Sequence, residues 1–464
     1  MPSAIEERIA ALVAGELSPV HEALGKAGFQ AYLVGGLVRD AFLNRSLEGL
    51  DVDIATDAHP DEIEKIVGRL GPTWLQGREF GTIGVAIGER HVEITTFRSD
   101  VYESSSRKPE VAFGDSIEED LLRRDFTVNA MAINMADLTL VDPLNGVQHL
   151  FEKRLVTPAE PAQTFSEDPL RMLRAARFVA QIGFEVDPEA VAAIKNMNDR
   201  LEIVAAERIR EEFSKLLVGE RVGDALGLVV ETGLADRFFP ELPALKLEQD
   251  PIHQHKDVLA HTIAVTSSTS PRPRLRLAAV MHDIGKPRTR SYAGGKVSFH
   301  HHEVVGARMA RNRLTELRYP TSMVDDVSEL VMLHLRFHTY AMGWTDRAVR
   351  RYVRDAGPLL ADLNELVRCD CTTRNKNKAA ALNRRMDELE ERIDVLSEQE
   401  ELAKIRPPLD GNQVIEHLGL EPGPVIGDAL DYLLELRLDH GPVEESKAYE
   451  LLDEWAMERG LKPQ

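Results

Sequence analysis

The sequence contains almost no cysteine. Among its 464 residues, only Cys369 and Cys371 are cysteines, and one residue separates them. A pair this close cannot supply the disulfide framework that stabilises small secreted domains. We therefore expect a protein of a reducing compartment, the cytoplasm, in which both thiols are small buried side chains.

Long apolar segments are also missing. No run of about 18 apolar residues occurs, so we expect no transmembrane helix and no membrane partner. The N-terminal segment carries Glu6, Glu7 and Glu16 among its apolar residues, a composition that is not typical of a secretory signal. With 43% hydrophobic and 29% charged residues, the composition is that of a folded protein, and the length predicts about three domains.

The sequence lacks the excess of basic residues that general nucleic-acid binding requires. Its net charge is −21, which excludes a protein that coats nucleic acid through an overall basic surface. It does not exclude an RNA enzyme whose basic residues are gathered on one surface. Arg171, Arg174 and Arg177 form one local basic cluster, although a solvated helix face is the alternative interpretation of such a cluster.

The spacing of apolar residues divides the chain into an α/β part and a helical part. We predict strands at 30–34, 51–56, 83–87 and 91–97. We predict helices at 4–27, at 37–44 and from Pro60 onward. From Asp168 the pattern is helical almost to the end, and proline-rich breaks at 240–243 and 406–408 are typical of boundaries. The predicted domains are 1–150, 151–240, 241–400 and 401–464.

Asp51 and Asp53 form the first candidate site. They lie two residues apart on a predicted strand, so both carboxylates project from one face while Val52 projects from the other. Neighbouring carboxylates repel each other unless a cation lies between them. Mg²⁺ prefers carboxylate oxygens together with substrate phosphates and suits this pair, although the same pattern is common at strand edges.

The surrounding sequence strengthens this interpretation. Gly35-Gly36 ends a strand and opens a helix, where backbone N–H groups can approach a triphosphate, with a tight turn as the alternative. Arg39 is expected to contact phosphate and Asp40 to fix the turn. Glu93, on a later strand, is either a third carboxylate beside the metals or an exposed strand residue.

Together these segments resemble the head-domain signature of polymerase-β-like nucleotidyltransferases, and more narrowly of class II CCA-adding enzymes and bacterial poly(A) polymerases. Further blocks match in family order: Arg123–Met131, Asp142–Gly146, Glu167–Arg171, Glu207–Arg208 and Glu211–Glu212. The resemblance implies an α/β polymerase-β-like nucleotidyltransferase head at 1–150. A mostly α-helical neck with the nucleotide- and RNA-binding domain follows at 151–240.

The resemblance also implies a reaction and its residues. The 3′-hydroxyl of tRNA would attack the α-phosphorus of CTP or ATP and release pyrophosphate, with Mg²⁺ held by Asp51 and Asp53 and with Glu93 beside them. Arg208 and Glu212 would brace the nucleotide-binding helix, and Asp142–Gly146 would join head to neck. The implied nucleotide-binding residues are Gly35, Gly36, Arg39, Arg124, Asp125, Asn129, Asp168, Arg171, Arg174 and Arg177.

Asp168 and Arg171 are the candidate base-selecting residues. They are three positions apart on a predicted helix and therefore share a face. The carboxylate only accepts hydrogen bonds and the guanidinium only donates them. Cytosine and adenine each present an amino donor beside a ring acceptor, whereas uracil and guanine present the reverse order, so the pair complements C and A. The resemblance assigns the same role, and a weak helical salt bridge is the alternative.

A second set of residues resembles the HD superfamily of metal-dependent phosphohydrolases. The resemblance places metal ligands at His261, His282, Asp283 and Asp370, and some members add ligands at the positions of His302 and His334. Imidazole and carboxylate together suit Mn²⁺, Ni²⁺ or Fe²⁺. This implies an HD metal-binding helical domain at 241–400, which either hydrolyses phosphoesters at a tRNA end or only binds tRNA. A C-terminal helical tail would follow at 401–464.

Three functional alternatives stay open. The product is a complete CCA end, a poly(A) tract, or a single added C or A, because Asp168 and Arg171 would accept both bases in each case. Residues 100–116 are similar to a loop that influences the change from C to A in this family, but they do not indicate the product. The different-class alternative is an HD phosphohydrolase of 2′,3′-cyclic or 2′-phosphates with the head as an RNA-binding module. The oligomeric state is open.

Overall fold

The chain folds into two compact units, Met1–Phe238 and Phe239–Gln464. A computed structural model describes residues 3–101, 110–114, 116–247, 257–293, 296–340, 343–371, 376–400, 402 and 405–461. The limit between the units adjoins the predicted break at 240–243, while the boundaries at 150 and 400 stay predictions. Within the described ranges, no helix is both long and apolar enough to cross a membrane.

A mixed seven-stranded sheet is the centre of the first unit, as far as the structure describes that unit. The strands of the unit are β1 Ala31–Val34, β2 Val52–Thr56, β3 Thr73–Trp74, β4 Thr82–Ile87, β5 Arg90–Thr96, β6 Arg98–Val101, β7 Glu110–Phe113, β8 Ala132–Asn134, β9 Leu140–Val141, β10 Arg154–Leu155 and β11 Glu185–Val186. The sheet order is β3-β4-β5-β2-β1-β8-β9, with β2 and β5 parallel. The pairs β6-β7 and β10-β11 are separate two-stranded sheets.

Helices cover this sheet and continue into the neck. They are α1 Ser3–Ala14, α2 Ser18–Lys26, α3 Gly36–Phe42, α4 Pro60–Val67, α5 Ile117–Leu122, α6 Gly146–Phe151, α7 Pro161–Glu167, α8 Leu170–Ile182, α9 Pro188–Met197, α10 Ala206–Leu217, α11 Val222–Glu231 and α12 Ala235–Phe238. Helix α8 packs against α10 and α11. It is buried on most sides, which explains why its arginines reach the interior.

Two local predictions for this unit are corrected by the structure. The helix predicted over 4–27 is two helices, because Pro19 stands in the first turn of α2 and has no N–H to continue a preceding helix. The strand predicted from Asp51 begins one residue later, at Val52. Residues 102–109 and 115, within the segment similar to the specificity loop, lie outside the described residues.

The second unit is built mainly of helices. They are α13 Val258–Ser268, α14 Pro273–Met281, α15 Lys286–Thr289, α16 His302–Glu316, α17 Thr321–Leu333, α18 Asp346–Ala356, α19 Leu360–Asp370, α20 Lys376–Gln399, α21 Gly411–Leu418, α22 Pro424–His440 and α23 Glu445–Glu458. Helices α13, α14, α16, α17 and α19 pack around one core. Helices α21, α22 and α23 enclose a smaller cluster that includes Leu433 and Trp455.

A β-hairpin interrupts the helical pattern predicted from Asp168 to the end. Its antiparallel strands are β12 Arg290–Ala293 and β13 Lys296–Phe299. The sequence between the strands is Gly294-Gly295, a dipeptide typical of hairpin turns. The helical prediction was wrong here because this short signal was outweighed by the helical periodicity on both sides.

Candidate functional site

A cavity of about 630 Å³ in the first unit gathers the residues that the sequence singled out in the head and neck. Its lining includes Gly35, Gly36, Arg39, Asp51, Asp53, Arg124, Asp125, Asn129, Asp168, Arg171, Arg174 and Arg177. Nine basic and six acidic side chains line it. A local basic excess therefore exists in a chain whose net charge is −21.

Two carboxylates of this cavity, Asp51 and Asp53, lie close to a third, Glu93. Asp53 on β2 lies opposite Glu93 on the parallel strand β5, and Asp51 immediately precedes β2. Val52 between the two aspartates is fully buried, so the strand alternates as predicted. The protein atoms around Asp53 limit its hydration, and Glu93 and Asp51 add repulsion, which together raise the pKa of Asp53 to about 6 against the opposing effect of Arg124. A bound cation would remove this penalty.

The backbone at Gly35 lies close to the side chains of both Asp53 and Arg124. Its φ is +72°, a left-handed conformation that glycine adopts without strain. A Cβ atom at this position would lie 3.2 Å from Nη1 of Arg124 and 3.3 Å from Oδ2 of Asp53. Glycine is therefore required here for conformation and for space, and the start of α3 lies directly beside the acidic group.

Buried hydrogen bonds connect α3 to the segment before β8. The Arg39 guanidinium, 9% exposed, donates to both carboxylate oxygens of Asp40 at 3.0 Å and to Oδ1 of Asn129 at 2.8 Å. Nδ2 of Asn129 in turn donates to Oδ1 of Asp125 at 2.9 Å. In this structure Arg39 positions Asn129, and the phosphate contact expected from the sequence stays a prediction.

Asp125 joins this network to the neck helix α8. Its Oδ2 accepts a hydrogen bond of 2.8 Å from Nε of Arg174. Burial alone would raise the pKa of Asp125, but the positive charge of Arg174 and the hydrogen bonds from Asn129 and Phe126 outweigh burial and hold that pKa well below its usual range. Asp125 is therefore a buried anion whose charge depends on α8.

Glu212 on α10 holds the same arginines from the other side. Its Oε1 accepts hydrogen bonds from Arg177 at 2.9 Å and from Arg174 at 3.4 Å, which is the bracing expected of it. The Phe178 ring lies beneath three guanidinium groups, with Arg177 4.4 Å and Arg39 and Arg174 each 5.5 Å from its centroid. Cation–π contacts of this kind stabilise clustered cations on an aromatic face.

Asp168 and Arg171 both line the cavity, but they do not pair with each other in this part of the described chain. Oδ2 of Asp168 accepts from Arg208 at 2.8 Å, while Nη1 of Arg171 donates to Glu167 at 2.9 Å. Since a carboxylate offers about four acceptor positions and a guanidinium five N–H groups, both retain hydrogen-bonding capacity toward the cavity. The prediction that both residues lie on one helix was wrong, because Asp168 follows α7 with an extended backbone whereas Arg171 belongs to α8. The alternative of a salt bridge between them is not what the structure shows either.

Asp120 is a site residue that the sequence interpretation missed. This buried carboxylate accepts from Arg124 at 3.0 Å and from Arg123 at 3.3 Å, and it too lines the cavity. The available signal was its spacing, because an acid three and four positions before two arginines shares their helix face. Asp120 fixes the direction of Arg124, which stands beside Asp53.

In the second unit, four residues from three helices form the first part of a metal-ligand cluster. Nε2 of His261 on α13 lies 2.8 Å from Oδ1 of Asp370 at the end of α19. Nε2 of His282, which follows α14, lies 3.3 Å from Nε2 of His261 and 3.2 Å from Oδ2 of Asp283. Cys369 and Cys371 beside Asp370 are half-buried rather than buried as predicted.

His302 and His334 extend the cluster on the other side of Asp283. Nε2 of His302 at the start of α16 lies 3.3 Å from Oδ1 of Asp283 and 3.3 Å from Nε2 of His334. Asp283 thus belongs to two groups of metal-ligand geometry, one with His261 and His282 and one with His302 and His334. The cluster offers two adjacent metal positions that share one carboxylate.

Backbone carbonyls fix the orientation of three of these imidazoles. Nδ1 of His282, His302 and His334 lies 2.7, 2.8 and 2.6 Å from the carbonyl oxygens of Ala279, Phe299 and Val331, respectively. A carbonyl can only accept, so each Nδ1 carries a proton and each Nε2 faces the cluster, with a free lone pair wherever that imidazole is neutral. Two Nε2 atoms 3.3 Å apart share either a proton or a metal ion, and the carbonyl contacts at Nδ1 are the orienting contacts typical of metal-bound histidines.

The pKa values of the histidines in the cluster also favour a bound cation. Burial disfavours a charged His282, yet Asp283 and Asp370 raise its pKa to about 10. Burial and the neighbouring His282 lower the pKa of His334 to about 4. Without metal, the two carboxylates therefore keep His282 protonated, and a divalent cation would displace that proton.

Comparisons with known proteins assign these two units to described domain families. Residues 31–156 match the poly A polymerase head domain, residues 183–245 a probable RNA and SrmB binding site of polymerase A, and residues 258–393 the HD domain. These matches agree with the α/β head, the helical neck and the metal-ligand cluster seen in the structure.

Curated relatives with similar sequences are named CCA-adding enzymes. The Anoxybacillus flavithermus relative is 44% identical over 230 residues, which cover 49% of this chain and 56% of the relative. The chain thus matches little more than half the length of such relatives at this level of identity. A Geobacillus relative is 31% identical over 450 residues, which cover 96% of this chain and 98% of the relative.

Solved structures of similar proteins show the same architecture. The CCA-adding enzyme of Bacillus stearothermophilus in complex with CTP superposes with a TM-score of 0.67 at 26% identity, over 96% of this chain and 98% of that one. A tRNA nucleotidyltransferase with a primer tRNA and an incoming ATP analog superposes with a TM-score of 0.54 at 22% identity, over 80% and 98%. The latter supports the fold alone.

The metal cluster predicts the effect of removing one imidazole. We expect His282→Ala to lower the affinity for Mn²⁺ by at least about tenfold, since His282 contacts both carboxylates of its group. Metal content after equilibration with Mn²⁺ and dialysis, read by plasma mass spectrometry, measures this effect. His300→Ala, an exposed histidine outside the cluster, is the matched control, and equal metal loss in both variants would contradict the assignment.

The buried Asp125–Arg174 pair predicts a pH dependence of stability. The folded-state pKa of Asp125 lies below the ordinary value of 3.8, so its stabilisation is present above about pH 4 and is lost as the pH falls through the folded pKa. The difference in urea midpoint between wild type and Asp125→Asn should therefore shrink on acidification. Asp199→Asn, at an exposed acid, should show a small difference at every pH. An Asp125→Asn difference that does not change with pH would refute the linkage.

Proposed function

The chain belongs to the family of CCA-adding enzymes, and on that premise we propose that it adds C, C and A to the 3′ end of tRNA from CTP and ATP without a template. The protein is a nucleotidyltransferase that depends on divalent metal. The observation that carries the proposal is the single cavity in which an acidic group, a set of arginines and the Asp168/Arg171 pair meet.

The proposed chemistry is in-line transfer of a nucleotide. The tRNA 3′-oxygen forms a bond to the α-phosphorus of the nucleotide as the bond to the pyrophosphate breaks, and the hydroxyl proton is lost to water. Asp51 and Asp53, with Glu93 beside them, would hold Mg²⁺. Bound Mg²⁺ supplies activation of the hydroxyl and neutralisation of the leaving pyrophosphate.

The remaining residues would hold the nucleotide in place for this attack. Arg124, which Asp120 directs toward the acidic group, is positioned to contact the triphosphate. Asn129 is held by Arg39 and Asp125 and keeps one amide N–H for the ribose. These contacts are the same for every nucleotide, so they do not select the base.

Base selection would lie with Asp168 and Arg171. Arg208 and Glu167 hold the two side chains in fixed positions, and each keeps unused acceptor or donor capacity toward the cavity. The carboxylate would accept the amino group of C or A, and the guanidinium would donate to the ring nitrogen beside it. A uracil or guanine base would place an acceptor against the carboxylate and a donor against the guanidinium, which is a basis for rejection.

Two alternatives share this chemistry. A poly(A) polymerase, or an enzyme that adds only A or only C, would use the same pair, and the product therefore has to be read from the RNA. The alternative in which the head is only an RNA-binding module does not explain why three carboxylates converge beside Arg124.

The metal-ligand cluster favours a second activity. We propose that it binds Mn²⁺, Ni²⁺ or Fe²⁺ and hydrolyses 2′,3′-cyclic phosphates or 2′-phosphates at RNA ends, because four imidazoles and two carboxylates converge there. A helix core would not need this set of ligands. Hydrolysis that survives metal removal from the wild-type protein would overturn this second proposal.

Asp53→Asn tests the transfer site. On tRNA that lacks its CCA end, the wild-type protein is expected to add labelled C, C and A in that order, whereas Asp53→Asn should be slower by at least about a hundredfold because a metal ligand is lost. Glu89→Gln, at an exposed acid between β4 and β5, is the matched control and should act as wild type. A long A tract would make the protein a poly(A) polymerase, and full activity of Asp53→Asn would sink the metal assignment.

Asp168→Asn tests base selection without removing volume. The amide replaces one acceptor oxygen by a donor, so incorporation of UTP relative to CTP should rise by about tenfold or more, while the affinity for tRNA stays unchanged. Single-nucleotide incorporation with each of the four nucleotides, together with a tRNA-binding titration, separates the two effects. Unchanged discrimination in Asp168→Asn would show that the base is read elsewhere.

A further inference from the structure

The hairpin β12–β13 is attached directly to the metal-ligand cluster. The carbonyl oxygen of Phe299, the last residue of β13, accepts the Nδ1–H of His302 at 2.8 Å. Lys286 donates to Oδ2 of Asp283 at 2.6 Å, and its Nζ lies 5.7 Å from the centroid of the Phe299 ring. One end of the hairpin therefore borders the cluster, and any substrate that the hairpin holds would lie next to the metal ligands.

One face of the hairpin carries cationic and aromatic side chains outward from the cluster. Arg290 pairs with Phe299 and Tyr292 with Val297 in the ladder, so Arg290 and Tyr292 share a face. The Arg290 guanidinium lies over the Tyr292 ring at 4.9 Å from its centroid. The Tyr292 side chain is 63% exposed, although a large aromatic residue is normally covered by the protein.

The charge of the segment matches a polyanion. Residues 284–302 contain Lys286, Arg288, Arg290 and Lys296 and no Asp or Glu, in a chain whose net charge is −21. Such an acid-free basic segment attracts phosphates. An exposed aromatic ring beside an arginine is in addition the platform on which single-stranded nucleic acids stack their bases. Charge alone would suit an acidic peptide equally well, but the exposed ring selects a base.

We propose that the face formed by Arg290, Tyr292 and Phe299 binds the single-stranded 3′ end of an RNA and leads it to the metal-ligand cluster. A base stacks on Tyr292, Arg290 contacts the adjoining phosphate, and Lys286 lies at the inner end beside Asp283. The proposed RNA binding is argued from the hairpin residues alone. The proposal that the bound RNA is then hydrolysed rests on the second proposed function. This assigns to the HD unit a binding surface for the RNA strand that precedes the reacting end.

Crosslinking tests the surface without requiring hydrolysis. A short single-stranded RNA with a 3′-terminal 4-thiouridine is irradiated with the full-length protein in the absence of metal and nucleotide, and crosslinked peptides are identified by mass spectrometry. We expect a crosslink within residues 290–299, with half-saturation weakened by about 5- to 150-fold in Tyr292→Ala and restored in Tyr292→Phe, which keeps the ring. A crosslink that is confined to other segments would overturn the proposal.

The salt dependence of RNA binding and competition by an acidic peptide distinguish RNA from other polyanions as the partner of the hairpin. The slope of log affinity against log salt concentration should become smaller by about one in Arg290→Gln, which corresponds to the loss of one phosphate contact. Arg311→Gln, at an exposed position of α16, should leave this slope unchanged. Polyglutamate of equal charge should compete poorly with the RNA. Equal competition would show that the hairpin reads charge alone and would overturn its assignment to RNA.

Kinetic measurements distinguish RNA binding by the hairpin from phosphoester hydrolysis at the metal-ligand cluster. With Mn²⁺, hydrolysis of an RNA that ends in a 2′,3′-cyclic phosphate is compared with hydrolysis of bis(p-nitrophenyl) phosphate. We expect Tyr292→Ala to raise KM for the RNA only. Equal effects on both substrates would contradict an RNA surface. If the wild-type protein hydrolyses neither substrate but crosslinks at 290–299, the phosphohydrolase proposal fails and the surface stands.

Discussion

The pair of buried Asp125 and half-buried Arg174 is the interaction on which the nucleotide cavity depends. It is the point at which the segment before β8 meets the neck helix α8. Since a buried charge without a partner is strongly destabilising, neither side chain can be moved independently of the other. Arg39 and Asn129 extend this pair to α3, and Glu212 extends it to α10. The elements that carry the residues proposed to contact phosphate and to select the base are thereby joined to one another inside the first unit.

Both candidate sites use the same electrostatic principle with different ligands. Around Asp53 the carboxylates repel one another, and in the cluster around Asp283 the Nε2 atoms of neighbouring imidazoles lie 3.3 Å apart. Each arrangement is unfavourable in the absence of a cation and favourable with one. Oxygen ligands suit Mg²⁺ with phosphates, whereas imidazoles suit a transition metal, so one chain can carry two metal chemistries in separate units.

The sequence predicted most of the residues that line the nucleotide cavity, but it did not predict Asp120 or the partners of the lining residues. Ordered blocks predicted that Asp53, Arg124 and Asp168 belong to one site, and the structure places them around one cavity. The partners of Arg39 and Asp168 depend on segments distant in sequence, namely Asn129 and Arg208, and helical spacing cannot supply such pairs. The hairpin carrying Tyr292 was missed because short strands give a weak signal within a helical region.

A crystal structure of the protein with CTP and Mg²⁺ would locate the base and the triphosphate together in the nucleotide cavity. The predicted result places the cytosine amino group within hydrogen-bonding distance of Asp168, its N3 beside Arg171, and the triphosphate between Arg124 and the metal on Asp51 and Asp53. A base bound by other side chains, or a triphosphate away from Asp53, would contradict it.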